Sequence, residues 1–174
     1  MKVRDSAILM LSLLFFAAMM PTFASTTTMY LDPPTDEVAY GEIFDVVLRV
    51  DEVKGLFMWV ATIEWNPAEL ELQGNPVEGG CLKSGGPTTF TWEGVSPGMI
   101  DNMTCGLQGP IPGVDVPPAP NDLAKMTFKV LCDKVCTYMA VSITYSDMLN
   151  DVPIPHTVQG GLYHVIPELA FTLL

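Results

Sequence analysis

Four cysteines, Cys81, Cys105, Cys132 and Cys136, offer the widest choice of chemistry in this sequence: they can pair as disulfides, hold a zinc ion, or react as thiolates. Cys132 and Cys136 flank Asp133-Lys134-Val135 between two strand-like runs, so they can face each other across a hairpin. Cys81 with Cys105 would then tie a loop to a strand. This is the preferred one of three connectivities. A four-cysteine zinc site is the rival, but CxxxC without a second close pair is a weak signal for it.

Other reactive types are sparse. The two histidines, His156 after Pro155 and His164 in a strand-like run, read as structural. No serine sits in a nucleophile-elbow pattern, and no glycine-rich loop opens a helix to cradle phosphate. Asp36-Glu37 and Asp51-Glu52 are adjacent acids, whereas a glycosidase needs two carboxyls facing one cleft roughly 5–10 Å apart. They read as solvated surface, and the chain is read as no enzyme. Asp147, Asn150 and Asp151 cluster as oxygen ligands for calcium would, without EF-hand spacing. No cofactor and no metal site is therefore assigned, and a structural calcium stays open. Asn102-Met103-Thr104 is a candidate N-glycosylation sequon.

The elements that position these residues are strands. From Gly55 to Leu72 the chain reads GLFMWVATIEWNPAELEL, and in steps of two Trp59, Ala61, Ile63 and Trp65 fall on one face, Met58, Val60, Thr62 and Glu64 on the other. Asn66-Pro67 ends that strand because proline has no N–H for a ladder, and Leu70-Glu71-Leu72 starts another. Similar alternation marks Phe44 to Val53, Thr88 to Glu93, Met99 to Leu107, Leu123 to Leu131, Tyr138 to Tyr145 and Gly161 to Ile166, with Met29-Tyr30-Leu31 as a brief first strand. Gln73 to Pro87 and Ser146 to Pro155 read as loops. The proline-rich Gln108 to Pro120 reads as a surface excursion that no sheet can hold. About nine short strands with no sustained helical period predict an all-β, two-layer sandwich.

Residues 1–24 read as a signal peptide: Lys2 and Arg4, an apolar run from Ile8 to Met20, then a small-residue exit at Ala24. A retained membrane anchor is the alternative, but the run is short for a span of about 20 residues. Residues 25–27 form a short lead, 28–166 the domain, and 167–174 a tail. Its Pro167-Glu168 and following apolar residues resemble the opening of a C-terminal sorting signal whose membrane-spanning run and basic cluster do not follow, so one reading is a sequence truncated inside such a membrane-anchoring signal and the other an apolar terminus docked on the sandwich. The predicted setting is secreted, with attachment to a cell surface as an option. With 8 basic and 20 acidic residues in 174, and a formal charge of -12, the chain repels nucleic acid, which is excluded as a partner.

The order of landmarks resembles a cohesin module, the receptor half of the cohesin–dockerin pair of cellulosomes and related surface assemblies. The matching pieces are VAYGEIFDVVLRVDEVKGL, WVATIEWNPAELEL, NDLAKMTFKVL and GGLYHV. The resemblance implies a nine-stranded jelly-roll β-sandwich, like that of cohesins and carbohydrate-binding modules, and a dockerin-like protein partner rather than a reaction. It also implies that the outward face of strands 3, 5, 6 and 8 receives that partner, strand 3 being Met58 to Trp65. Met58 and Val60 are apolar where type I modules present polar residues, which is closer to the hydrophobic interfaces of type II modules.

The residues agree with this. If Trp59, Ala61, Ile63 and Trp65 fill the core, Met58 and Val60 stand on the solvent side. Trp92, if it joins them, would complete a patch, with Glu64 and Glu93 as rim charges. Two other readings remain: a polysaccharide-binding sandwich, marked by a row of exposed aromatics drawn from Trp92, Tyr30, Tyr40 and Tyr145, and a structural or adhesive surface-layer domain.

Overall fold

The computed structural model describes residues 27–109, 112–118, 121–133 and 138–167. The signal-like segment 1–24, the tail from residue 168 and Cys136 lie outside them.

β1 (Thr27–Asp32) leads through Pro33-Pro34 to β2 (Thr35–Ala39), then β3 (Ile43–Val50), β4 (Val53–Leu56), β5 (Met58–Trp65), β6 (Leu70–Leu72) and β7 (Val77–Glu78). A short 3-10 turn (Leu82–Ser84) precedes β8 (Thr88–Thr91), β9 (Gly94–Ser96), β10 (Met99–Leu107), β11 (Val114–Val116), β12 (Asn121–Val130), β13 (Tyr138–Leu149), β14 (His156–Gln159) and β15 (Gly161–Ile166). Two sheets result. One runs β14-β1-β3-β12-β6, with β7 also on β12, and the other β2-β15-β13-β5-β10-β8, with β9 also on β10. The expected sandwich is present, with six short strands, β2, β4, β7, β9, β11 and β14, added to the nine expected.

Alternation explains the layering. β3 buries Phe44, Val46, Leu48 and Val50, while β5 buries Trp59, Ala61, Ile63 and Trp65, and the two sets meet in one core. Aromatic contacts bridge the sheets: Phe44 meets Tyr163 with centroids 5.0 Å apart, and Trp65 meets Phe128 edge-on at 5.1 Å. Such pairs add ~0.5–1.5 kcal/mol each beyond burial. The buried Trp65 indole donates to the Leu70 carbonyl at 2.9 Å, and the Tyr163 hydroxyl to that of Pro33 at 3.1 Å, so neither polar end is stranded.

The turn after Trp65 forms as expected: the Asn66 side chain accepts from Ala68 N–H at 3.1 Å, and Leu70 N–H donates to the Asn66 carbonyl at 3.0 Å. Gly98 closes the next turn with φ +88°, and a Cβ there would stand 2.8 Å from the Trp65 carbonyl oxygen.

Several expectations need correction. The proline-rich stretch is not wholly a surface excursion, because Val114–Val116 pairs with β4 and Val116 is buried. Gly113 permits this: a Cβ on it would fall 2.0 Å from the Gly55 carbonyl oxygen. β1 begins at Thr27, inside the expected lead, since Thr27 is buried and donates through Oγ1 to the Glu52 carbonyl at 2.9 Å. β13 continues four residues beyond Tyr145, so Asp147 is a strand residue rather than a loop ligand. β2 and β14 are strands that the sequence reading passed over; both lie on their sheets as parallel partners, β2 on β15 and β14 on β1. No helix of the described residues is long and apolar enough to cross a membrane.

Candidate partner-binding face

The strands expected as 8, 3, 6 and 5 are β13, β5, β10 and β8, and they lie side by side in that order. Their registers carry two outward rows straight across the sheet. One is Leu149, Met58, Gly106 and Thr89; the next is Asp147, Val60, Thr104 and Thr91. Met58 and Val60 therefore sit centrally on the outer face, each half-buried by neighbours. Gly106 makes room for Met58, whose Cγ would lie 3.4 Å from a Cβ at that position.

Two β-bulges flank Thr62. On one side Asp101 and Asn102 oppose it between the pairs Ile100–Ile63 and Met103–Ala61; on the other, Thr144 is the extra residue between Ile143 and Tyr145. Asn102 takes φ +44°, its N–H donates to Thr62 Oγ1 at 3.2 Å, and Thr104 Oγ1 donates back to its carbonyl at 3.0 Å. The bulges bury Thr62 and leave Tyr145 standing exposed beside it.

Glu64 is exposed on this face and accepts from Thr144 Oγ1 at 3.0 Å. Glu93 follows β8 and accepts from the Asn102 side-chain amide at 3.0 Å. Asn102, the sequon asparagine, thus lies on β10 within the face. A glycan there would cover the surface that Met58 and Val60 present.

Trp92 does not join them. It packs edge-on against Phe90, with centroids 5.7 Å apart, and Phe90 packs in turn on buried Trp59 at 6.1 Å. Phe90 pairs with inward-facing Cys105, so this aromatic chain belongs to the core side. Nor do the tyrosines form a row with Trp92: Tyr30 is on the outer side of the other sheet and Tyr40 at a turn, while β13 exposes both Tyr145 and, seven residues earlier, Tyr138, which stacks on His164 with centroids 4.9 Å apart.

Sequence reasoning missed Leu149, Asp147, Thr104, Thr91 and Thr89 as members of the face. Simple alternation within β8 and β10 marks the threonines as outward, but the bulge at Thr144 shifts the phase of β13 and hides Asp147 and Leu149.

The electrostatics are one-sided. No lysine or arginine occurs in β2, β15, β13, β5, β10, β8 or β9, while Glu64, Asp101 and Asp147 lie on the central three strands. The other sheet's outer face instead neutralises itself: Arg49 pairs with Asp32 and, at 2.8 Å, with Asp122, while Lys125 pairs with Asp45 at 3.1 Å.

Catalytic and metal chemistry find little support. His156 lies against the Ile154 carbonyl through Nδ1 at 2.9 Å and Ser146 Oγ through Nε2 at 2.8 Å. With Nδ1–H donating to the carbonyl, Nε2 accepts from the serine; a backbone carbonyl stands where a catalytic triad would place a carboxylate. The pair stitches β13 to β14 across the two sheets. Among the described residues no three His, Cys, Asp or Glu gather as a metal site, and the Asn150 carboxamide oxygen is occupied by Val152 N–H at 3.0 Å.

Cys81 and Cys105 stand as thiols on the inner side of the face, and the Cys132–Cys136 pairing lies outside the described residues through Cys136. Burial pushes Cys81 up to about 11, with Asp122 adding to it, and Cys105 up to about 12, with Glu78 adding to it.

The architecture defines the class, a two-layer jelly-roll β-sandwich, and within it the fold is that of cohesin modules. A non-cellulosomal cohesin from the hyperthermophilic archaeon Archaeoglobus fulgidus matches with a TM-score of 0.62 at 12% identity, covering 82% of this chain and 92% of that one. The seventh ScaB type I cohesin from Pseudobacteroides cellulosolvens gives 0.65 at 16%, covering 86% and 97%. The cohesin–dockerin complex of type I from Clostridium thermocellum gives 0.64 at 11%, covering 82% and 100%. No protein-family model and no curated protein sequence matches the chain.

Proposed function

We propose that this protein is a non-catalytic, extracellular interaction module that binds a dockerin-like protein through the outer face of β13-β5-β10-β8, in the assembly of polysaccharide-degrading or cell-surface complexes. The observation that carries the reading is the pair of registered rows that set Met58, Val60 and Leu149 at the centre of a cation-free, threonine-rimmed surface on a cohesin fold. Half-buried apolar side chains in the middle of an otherwise hydroxyl-rich sheet give a partner anchors, and the threonines give it hydrogen bonds around them. Several solved neighbours are cohesins in complex with dockerins, which supports a partner of that kind. The inward placement of Trp92 favours this reading over a sugar-binding one, since it leaves Tyr138 and Tyr145 on β13 without the tryptophan that would extend them into an aromatic row.

The test is capture by the immobilised protein from the source organism's extracellular and cell fractions, with calcium present and then chelated. The reading expects a protein with duplicated calcium-binding loops, released on chelation. Retention of polysaccharide alone, or self-association alone, overturns it.

A further inference from the structure

We propose that Cys81 and Cys105 are the two halves of a disulfide that staples the loop after β7 to β10. Cys81 opens the 3-10 turn, whose Leu82 is buried in the core, and Cys105 faces inward from β10. The loop is already held on one side: Gly79 N–H donates to the Leu123 carbonyl at 2.9 Å and Cys81 N–H to that of Asp122 at 3.1 Å. β10 closes the other side. Glu78 Oε1 accepts from Cys105 Sγ at 3.4 Å, and Glu78 Oε2 pairs with Lys83 Nζ at 3.3 Å. Residues on both sides of Cys81 in sequence thus converge where Cys105 lies. At the end of the turn, a Cβ on Gly85 would touch Leu107 Cδ2 at 3.2 Å, so the turn rests on β10 two residues beyond Cys105. The two thiols are also near enough for a charge on Cys81 to oppose ionisation of Cys105.

Glu78 loses nothing essential in the exchange. When Cys105 gives up its S–H, the carboxylate keeps Thr88 Oγ1 at 2.5 Å and Lys83. The oxidant is a disulfide of a thiol–disulfide exchange protein or of glutathione. One cysteine, deprotonated, attacks a sulfur of that disulfide and expels a thiolate. The second cysteine, losing its proton, then displaces the remaining thiolate from the mixed disulfide. Two cysteine thiols are oxidised and one external disulfide becomes two thiols. Burial keeps both thiols protonated in the folded chain at neutral pH, so this exchange belongs to the stage before the core closes over them. The same burial then shields the bond from reductants.

The test is to refold the full chain from denaturant with oxidised and reduced glutathione, block remaining thiols in acid, and map peptides by mass spectrometry. The expected product is a linked peptide pair joining Cys81 to Cys105. In Cys132→Ser/Cys136→Ser the link persists, and the oxidised form melts roughly 5–15 °C above the same protein after reduction. Recovery of Cys81 and Cys105 as blocked thiols, or linked to Cys132 or Cys136 instead, overturns the proposal.

Discussion

The two outer faces of this sandwich solve the same problem in opposite ways. Both are the solvent side of a sheet whose inner side is core. On the β14-β1-β3-β12-β6 face, acids and cations are matched: Arg49 lies between Asp32 and Asp122, and Asp45 takes Lys125 together with Thr127 Oγ1 at 2.6 Å. Strands β13, β5, β10 and β8 carry no lysine or arginine, and their central outward positions include methionine, valine and leucine. A face finished by its own ion pairs has little to offer a partner. One left acidic, with apolar side chains in the middle, has both contacts and charge to spare.

The sharpest contrast lies within β5 itself. Trp59 is 1% exposed and Val60, its neighbour, is outward. Trp59→Ala should cost ~3–5 kcal/mol through the cavity it leaves, lowering the thermal midpoint by roughly 10 °C. Val60→Ala should cost less than about 1 kcal/mol. Equal losses in thermal denaturation would mean that the two sides of β5 are reversed.

On the paired face, Arg49→Ala leaves two partly buried carboxylates without their cation and should cost ~1–3 kcal/mol while leaving partner binding unchanged. A loss of binding equal to that of a Val60 variant would erase the distinction between the faces. Acid titration gives a smaller effect with a definite sign. Hydrogen bonds from Thr127, then Lys125, hold the Asp45 carboxyl below its usual range. Its contribution is present above about pH 4 and lost as pH falls through the lowered value. Thr127→Val removes the larger cause, so that variant should lose less stability than the parent between pH 5 and pH 2.5, read by denaturant titration. Smallest is Lys125→Ala, less than about 1 kcal/mol, because its ion pair with Asp45 is exposed.

How much of this was legible beforehand depended on phase. Where alternation runs unbroken, as from Met58 to Trp65, the sequence separates core from surface residue by residue. β13 breaks phase at Thr144, so a reading in steps of two stops at Tyr145 and consigns Asp147 and Leu149 to a loop. Trp92 misled for a related reason: aromatic residues at a strand end can face either way, and contact with Phe90 and Trp59 decides it. β2 and β14 leave no local signature because each is a short parallel strand whose pairing comes from distant chain. The proline-rich segment hid Val114–Val116 because Gly113's close approach to Gly55 is a tertiary fact. The order of landmarks along the chain carries the fold itself, since the jelly roll depends on strand sequence more than on any single motif.

One measurement bears most directly on the claim that the cation-free face is the binding surface. The captured dockerin-like partner is titrated by calorimetry against the parent protein and against Met58→Asp/Val60→Asp, with thermal midpoints recorded in parallel. The account predicts at least a hundredfold loss of affinity with the midpoint within a few degrees of the parent. Unchanged affinity in a variant that still folds would place the partner elsewhere and contradict the account.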